Sequence, residues 1–337
     1  MRGVNDDAPL SDEEAAALFA PVAGCSRIVL AVSGGPDSTA MMGLFAAWRH
    51  AHAGPDALVV TVDHGLRPES AGEASAVAVA AGALGLVAVV LNWTGAKPTT
   101  GVQESARDAR YHLIGQACAE FGAKAVMLAH TLDDQAETVL MRLARGSGLA
   151  GLGGMQVVSQ VDGISRIRPF LGIGKARLVA TCLARNWPFV RDPSNDSDRF
   201  LRPRLRRLMP VLAEEGLSAD RLALLANRAA RANAVLERVA GAALAESDRR
   251  FGGDALDAGV VLAQGPEIAV RLVDKMIRRI QGDGEPSPRL EKIEALAERL
   301  TKAISGGFPL HATLGGVKLT LEGGIVRFSA APPRRSR

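Results

Sequence analysis

The sequence predicts an α/β protein with a doubly wound parallel sheet, followed by a helical linker and a smaller C-terminal α+β domain. Three observations support this fold class. Over the first two hundred residues, short apolar runs alternate with alanine-rich stretches of helical length, the pattern of a parallel sheet covered on both faces. After residue 207, apolar residues recur at helical spacing. After residue 251, two amphipathic stretches precede three short strand-like runs.

The individual elements follow from the period of the apolar residues. Strands are predicted over 28–32, 57–62, 87–91 and 125–129, and helices over 39–50, 71–84 and 101–121. In the C-terminal part, helices are predicted over 267–280 and 289–301, and strands over 312–314, 317–321 and 325–328. We therefore divide the chain into an N-terminal extension (1–25), an α/β domain (26–210), a helical linker (211–250), a small domain (251–330) and a basic tail (331–337).

Composition excludes several classes of protein. No run approaches the roughly 20 apolar residues that a membrane span needs, and residues 1–9 lack the apolar core of a signal peptide. We therefore expect a cytoplasmic protein with no membrane partner. The three cysteines are far apart and form no C-x-x-C pair, which argues against a disulfide framework and against zinc or iron–sulfur sites of the usual spacing.

The net charge of +4 is mild, but the positive residues are unevenly distributed. Five arginines fall within nine positions: Arg199, Arg202, Arg204, Arg206 and Arg207. Such a cluster indicates an anionic partner, although a solvated basic helix face has the same composition.

The first predicted strand runs directly into a glycine-rich turn, Ser33-Gly34-Gly35-Pro36-Asp37-Ser38. Glycines can adopt positive φ and let backbone N–H groups converge on an anion, and the serine hydroxyls add donors. The following helix would direct its N-terminal dipole at the same anion. The turn has neither the Gly-Lys-Ser/Thr ending of a Walker loop nor a G-x-G-x-x-G fingerprint. It therefore predicts a phosphate-binding loop of another type, the alternative being an ordinary tight turn.

Two more strand ends carry polar residues. The second strand leads into Asp63-His64-Gly65-Leu66-Arg67, and the fourth into a helix starting near Asp133. Asp133 is expected to cap that helix, on which Asp134 and Glu137 share one face. Two such carboxylates can hold magnesium through water or bind an ammonium group, or they can simply complement the helix dipole.

A helix between these clusters carries Arg107 and Arg110, three residues apart. Both guanidinium groups can face one anion and bind phosphate bidentately, although a surface pair between Glu104 and Arg107 is the alternative. After the acidic helix, the glycine-rich segment from Arg145 to Gly154 predicts a mobile or tightly folded loop.

Taken in order, these motifs resemble those of the tRNA(Ile)-lysidine synthases, a family of N-type ATP pyrophosphatases (the PP-loop superfamily). The resemblance extends over about residues 26–210. It rests on Ser33 to Ser38, Asp63-His64-Gly65-Leu66-Arg67, Gln103-x-x-x-Arg107-x-x-Arg110-Tyr111, His130-x-x-Asp133-Asp134-Gln135-x-Glu137-Thr138, Arg145-Gly146-Ser147-Gly148, Arg168-Pro169-Phe170-Leu171 and Asp192-Pro193-Ser194-Asn195.

The resemblance implies an adenine nucleotide alpha hydrolase-like sheet and a ligase that uses ATP and Mg²⁺. Its partners would be L-lysine and the CAU-anticodon tRNA(Ile), with residues 251–330 recognising the tRNA. ATP would adenylate the wobble cytidine with release of diphosphate, and lysine would then attack C2 and expel AMP.

The resemblance also implies roles for individual residues. Catalysis would use Asp37, Arg110 and Asp134, with Asp37 also binding the metal, and lysine would bind to Asp134 and Glu137. The ATP site would consist of Ser33, Gly34, Gly35, Pro36, Asp37, Ser38, Arg107 and His130. The tRNA would contact Arg145, Arg202, Arg204 and Arg206.

Other functions are open from the sequence. A tRNA thiolase would attack a similarly adenylated base with sulfur, but that chemistry uses paired cysteines. A small-molecule amidotransferase would carry an N-terminal cysteine nucleophile, which this sequence lacks. A regulatory module would bind ATP and transfer nothing, so diphosphate release would separate it from an enzyme. The sequence also allows a homodimer.

Overall fold

The computed structural model describes residues 7–95, 97–98, 101–190, 201–282, 285 and 287–332, without the side chain of Gln103. The Asp192–Asn195 motif, Arg199 and residues 333–337 of the basic tail lie outside the described residues. The chain folds as two compact units. The first contains the chain up to Arg145 together with Gly154–Ala226, and the second contains Gly146–Gly153 and the chain from Asn227 onward.

The first unit contains a six-stranded sheet in the order β3-β2-β1-β4-β6-β5. All neighbours are parallel except β5 and β6, which form an antiparallel hairpin at one edge. The strands are β1 (Arg27–Ala31), β2 (Asp56–Asp63), β3 (Val87–Asn92), β4 (Ala125–Leu128), β5 (Val158–Val161) and β6 (Ile164–Ile167). The strand order reverses between β1 and β4, and a ligand crevice forms at such a switch point in open α/β sheets.

Helices cover both faces of this sheet. They are α1 (Asp12–Phe19), α2 (Pro36–His52), α3 (Ser70–Ala83), α4 (Val102–Phe121), α5 (Leu132–Ala144), α7 (Lys175–Ala184) and α8 (Leu201–Glu214), with a 3₁₀ turn at Ala20–Val22. Helix α9 (Ala219–Phe251) starts in this unit and continues into the second.

Alternate residues of β1 belong to different cores, because successive strand side chains point to opposite faces. Ile28 and Leu30 pack into a large cluster that includes Phe45 of α2, and this cluster also contains Phe170. Val29, on the other face, packs into a second cluster with residues of α4 that include Ile114 and Cys118. The doubly wound α/β fold expected from the sequence is confirmed.

The second unit contains a four-stranded antiparallel sheet in the order β7-β10-β9-β8. Its elements are the short helix α6 (Leu149–Leu152), β7 (Ala255–Asp257), α10 (Ala258–Ala263), α11 (Pro266–Gln281), α12 (Leu290–Gly306), β8 (Leu310–Leu314), β9 (Val317–Glu322) and β10 (Ile325–Ala330). Helices α11 and α12 bury Leu272, Met276 and Leu300 against Leu319 and Phe328 of the sheet. These helices and the sheet form the small C-terminal α+β domain that the sequence predicts.

Several elements differ from those predicted. The β5–β6 hairpin and β7 were missed because these strands have three or four residues and mixed polarity. The turn of the β5–β6 hairpin is made by Asp162 and Gly163, both at positive φ. Asp-Gly is a hairpin signal that the sequence does contain. The predicted helical linker, residues 211–250, contains the end of α8 and most of α9, with residues 215–218 between the two helices. Within the described residues, no helix has both the length and the apolar character needed to cross a bilayer.

Candidate functional site

The site lies at the carboxyl ends of β1, β2, β4 and β6, which meet at one edge because these strands are parallel. The phosphate loop, Ser33 to Ser38, follows β1 and leads into α2. Gly34 has φ +83°, a conformation that strains residues with a Cβ. A Cβ there would also lie 3.1 Å from Cγ2 of Val77, tighter than ordinary van der Waals contact. The conformation of the loop in the structure therefore requires glycine at position 34.

Hydrogen bonds fix the shape of the loop. The Ser33 N–H donates to Ser38 Oγ (3.1 Å), and the Ser38 hydroxyl donates to the Gly35 carbonyl (3.1 Å). From outside the loop, the Val190 N–H donates to the Gly34 carbonyl at 2.8 Å. Pro36 occupies the first turn of α2, and no described side chain caps this helix. The first N–H groups of α2 thus face the loop without helical partners, as in helix-terminal anion sites.

Asp37 lies in the first turn of α2, where its side chain is 20% exposed. Its Oδ2 atom lies 3.4 Å from Nζ of Lys175, whereas Oδ1 is buried and has no hydrogen-bond partner among the described residues. Burial raises the pKa of Asp37 to about 6, against the opposing effect of Lys175. An unsatisfied buried carboxylate oxygen at the end of a phosphate loop can accept a metal ion or a donor from a ligand.

Thr131 is the N-cap of α5, and a capping box joins it to Asp134. Asp134 Oδ2 accepts the Thr131 N–H at 2.9 Å and the Thr131 hydroxyl at 3.0 Å. The expectation that Asp133 caps α5 is wrong. Asp133 Oδ2 instead accepts the backbone N–H of Lys175 at 2.8 Å, because the N-terminus of α7 lies next to that of α5.

Two arginines of α8 reach the acidic pair on α5. Glu137 is 1% exposed, and its two oxygens accept from Nε of Arg202 and Nε of Arg206, both at 2.7 Å. Asp134 Oδ1 accepts from Arg202 at 3.0 Å. Burial would raise the pKa of Asp134, but Arg202 and the Thr131 hydrogen bonds hold it below its usual value. The acidic pair and two of the arginines expected to contact tRNA therefore form one ion-pair cluster.

The two arginines of α4 have different neighbours. Both Nε and one terminal nitrogen of Arg110 lie within hydrogen-bond distance of His64 Nε2, at 3.1 and 2.9 Å. Arg107 lies over the ring of Tyr111, with 5.0 Å to the ring centroid, and Arg166 of β6 lies 4.2 Å from the same centroid. These cations form a positive rim at the ligand edge of the sheet.

His130 follows β4, and burial lowers its pKa to about 4. His130 Nδ1 is buried without a hydrogen-bond partner among the described residues. His130 is therefore neutral near pH 7, and one ring nitrogen remains for a ligand or a bound water.

Arg168 follows β6 and donates to the Gln156 carbonyl at 2.9 Å and to Ser159 Oγ at 3.0 Å.

The other two expected tRNA contacts are exposed to solvent. Arg145 follows the last residue of α5, and Arg204 lies on α8. The glycine-rich segment after Arg145 is folded in part, because it contains the short helix α6. Sequence reasoning missed Lys175 and Arg166. The signal for Lys175 was Gly174 directly before a helical pattern, which places a lysine at a helix N-terminus.

Comparison with known proteins identifies the family of the chain. The PP-loop domain family matches residues 9–212. A tRNA(Ile)-lysidine synthase of Methylobacterium nodulans is 53% identical over 313 residues, which is 92% of this chain and 91% of the relative. The chain belongs to the tRNA(Ile)-lysidine synthase family. A Bradyrhizobium sp. member of the family is 48% identical over 351 residues and matches 98% of each chain.

The family resemblance inferred from the motifs is thereby confirmed. Membership makes the chain an ATP-using ligase of the C–N bond-forming type that modifies tRNA. Among solved structures, a U34-tRNA thiolase, NcsA from Methanococcus maripaludis with its [4Fe-4S] cluster, has a TM-score of 0.55 and 16% identity. It covers 64% of this chain and 78% of its own. That likeness shows a shared fold, and the family does not favour the thiolase alternative.

Proposed function

We propose that the protein joins L-lysine to C2 of the wobble cytidine in CAU-anticodon tRNA(Ile), with ATP and Mg²⁺ as cofactors. The observation that carries this proposal is the adjacency of two sites on neighbouring strands. The phosphate loop follows β1, and the acidic pair Asp134 and Glu137 follows β4, its parallel neighbour. A nucleotide and an amine can therefore reach one reacting base.

The first step would adenylate the base. The C2 carbonyl oxygen of the cytidine attacks the α-phosphorus of ATP, the bond from this phosphorus to the bridging oxygen breaks, and diphosphate leaves. Ser33, Gly34, Gly35, Pro36 and Ser38 would form the cradle for the phosphates. Arg110, with Arg107 beside it, would stabilise the negative charge on the five-coordinate α-phosphate, and His130 would contact the nucleotide.

Asp37 is the residue that we assign to Mg²⁺. Its buried, unpartnered Oδ1 fits this assignment, and oxygen ligands are those that Mg²⁺ prefers. Among the described residues, no three His, Cys, Asp or Glu side chains form a metal cluster, so phosphate oxygens and water would complete the coordination. When bound, the ion would offset charge on the departing diphosphate.

The second step would use lysine as the nucleophile. Its amine attacks C2 and its nitrogen releases a proton, the bond from C2 to the adenylated oxygen breaks, and AMP leaves. Asp134 and Glu137 would hold the ammonium group of lysine, and Asp134 would place it so that, after loss of a proton, the amine can attack. Asp134 Oδ1 has the longest of the three arginine contacts, at 3.0 Å compared with 2.7 Å for both Glu137 oxygens. We assign the lysine ammonium to this oxygen, where it would replace Arg202.

The tRNA would be held by cations around this edge. Arg145 and Arg204 are exposed and suited to phosphate contacts, whereas Arg202 and Arg206 would reach tRNA only by leaving the carboxylates. The anticodon presents single-stranded bases, which can be splayed out of the stack into an active site. The small second domain would recognise tRNA(Ile) outside the anticodon. A homodimer and a cytoplasmic location belong to the same proposal.

The test is incorporation of labelled lysine into an unmodified CAU-anticodon tRNA(Ile) transcript, with ATP and Mg²⁺. Wild type is compared with Asp37→Ala and with Asp56→Ala, a control at the exposed first residue of β2. We expect incorporation by wild type and the control, and none by Asp37→Ala. Wild-type adenylation of the tRNA without lysine transfer would contradict the proposal and indicate another nucleophile.

A further inference from the structure

We propose that His64 is a positioning residue for adenylation, because it holds the guanidinium of Arg110 in the orientation that meets the α-phosphate. The proposal rests on the proposed function and adds a residue to which no role has been assigned. His64 follows β2 and Arg110 lies on α4, so the contact joins two elements of the first unit at the ligand edge.

The hydrogen bonds define the orientation. Nε and a terminal nitrogen of Arg110 both lie near the same acceptor, His64 Nε2, at 3.1 and 2.9 Å. Two donors of one planar group directed at one atom restrict rotation of the guanidinium plane. The other terminal nitrogen then points away from the imidazole. The histidine ring is itself oriented, because it packs edge-on against Trp93 with 6.1 Å between ring centroids.

The contact requires a neutral histidine with its proton on Nδ1. Nε2 must be unprotonated to accept from Arg110, and Nδ1 is buried without a hydrogen-bond partner among the described residues. The charged groups facing His64 are Arg110 from α4, Asp63 at the end of β2 and Lys97 from the chain after β3. Burial and Arg110 together lower the pKa of His64 to about 4. The imidazole is therefore neutral at neutral pH.

A neutral acceptor explains why histidine is suited to this position. A carboxylate would also orient Arg110, but it would neutralise the guanidinium and weaken its attraction for phosphate. The nearby carboxylate of Asp63 is turned to the backbone, where Oδ1 accepts the Gly65 N–H at 2.8 Å. Histidine thus orients the cation and leaves its full charge for the reacting phosphate.

The test separates positioning from a merely structural link by means of a double-mutant cycle. His64→Gln supplies an amide oxygen as acceptor, and His64→Met has similar length without a strong acceptor. Each variant is measured alone and in an Arg110→Ala background. The control is His112→Met, at an exposed position on α4, the helix that carries Arg110. The readouts are single-turnover diphosphate release at saturating ATP and tRNA, the KM for ATP, and the melting temperature.

We expect His64→Met to slow diphosphate release by about 10- to 100-fold, the effect of a misplaced charge-stabilising donor. The KM for ATP and the melting temperature should change little, and His64→Gln should recover most of the rate. In the Arg110→Ala background, His64→Met should have less than about a twofold effect.

Two results would overturn the role of His64. One is that the effects of His64→Met and Arg110→Ala multiply, and the other is that His64→Gln and His64→Met lose the same activity in proportion to lost stability. A wild-type protein that releases no diphosphate with this tRNA would instead overturn the proposed function, and the role of His64 with it.

Discussion

Nζ of Lys175 lies 3.4 Å from Oδ2 of Asp37, which places a lysine beside the phosphate loop although the loop itself contains none. The lysine comes from the first turn of α7, and its backbone N–H donates to Asp133 at 2.8 Å. Helices α2, α5 and α7 therefore begin at one place. A cation there is positioned to contact the phosphates once Asp37 binds Mg²⁺.

Lys175→Met should slow diphosphate release by about tenfold, because it removes one cation from the transition-state charge. Stability should change by less than about 0.5 kcal/mol, since the lysine side chain is 41% exposed. Release is measured in a single turnover with Lys124→Met as the control, an exposed lysine at the opposite end of β4. Equal rates for the two variants would exclude a phosphate role for Lys175.

Asp37→Asn should stabilise the ligand-free protein at neutral pH and inactivate it. The raised pKa of about 6 means that the folded state binds a proton more tightly than the unfolded chain between about pH 4 and 6. The protonated Asp37 side chain therefore makes its full contribution to the free energy of unfolding below pH 4, and this contribution is lost as the pH rises through 6. Denaturant unfolding should show a gain of about 1–3 kcal/mol at pH 7.5 and little difference at pH 4. A variant less stable than wild type at pH 7.5 would contradict this sign.

Glu137→Gln should destabilise the first unit by about 2–4 kcal/mol, because it leaves Arg202 and Arg206 without their buried carboxylate. Glu120→Gln, on the exposed side of α4, is the matched control and should change stability by less than about 0.5 kcal/mol. Thermal and denaturant unfolding measure both. A loss as small as that of the control would show that the arginines find other partners.

Asp134→Asn should separate the two chemical steps. Diphosphate release should fall by less than about threefold, whereas the KM for lysine should rise by about tenfold or more, because a charged hydrogen bond contributes roughly 1.5–3 kcal/mol. The amide preserves the size of the side chain. An unchanged lysine dependence would remove Asp134 from the lysine site, and loss of diphosphate release would move it to adenylation.

Arg204→Ala should weaken tRNA binding and lower the slope of log K against log salt concentration by about 1, as expected for one lost phosphate contact. Binding is measured by titration at several salt concentrations, with Lys124→Ala as the control of equal charge change. A slope equal to that of the control would place Arg204 outside the tRNA contact.

The sequence predicted the parts of the fold with strong patterns. The apolar strands β1 to β4 and the glycines of the phosphate loop carry clear local signals, and their order places the ligand edge. The β5–β6 hairpin was missed because Ser159 and Gln160 interrupt its apolar residues. The site was only partly predictable for a different reason. Pairing between Glu137 and Arg206 depends on how α5 and α8 pack, and no local period or spacing encodes that contact.

The hydrogen bond from Val190 to the Gly34 carbonyl shows that the conformation of the phosphate loop depends on a residue far from it in the sequence. Its glycines and hydroxyls occupy six consecutive residues, but the carbonyl that sets its curvature is bound by the chain after α7. A fragment ending at Arg145 would retain Ser33 to Ser38, Asp134 and Glu137 and would still lack β6, Lys175 and Val190. Grafting these six residues onto another strand–helix turn would transfer the sequence of the loop without the Val190 hydrogen bond that fixes its conformation.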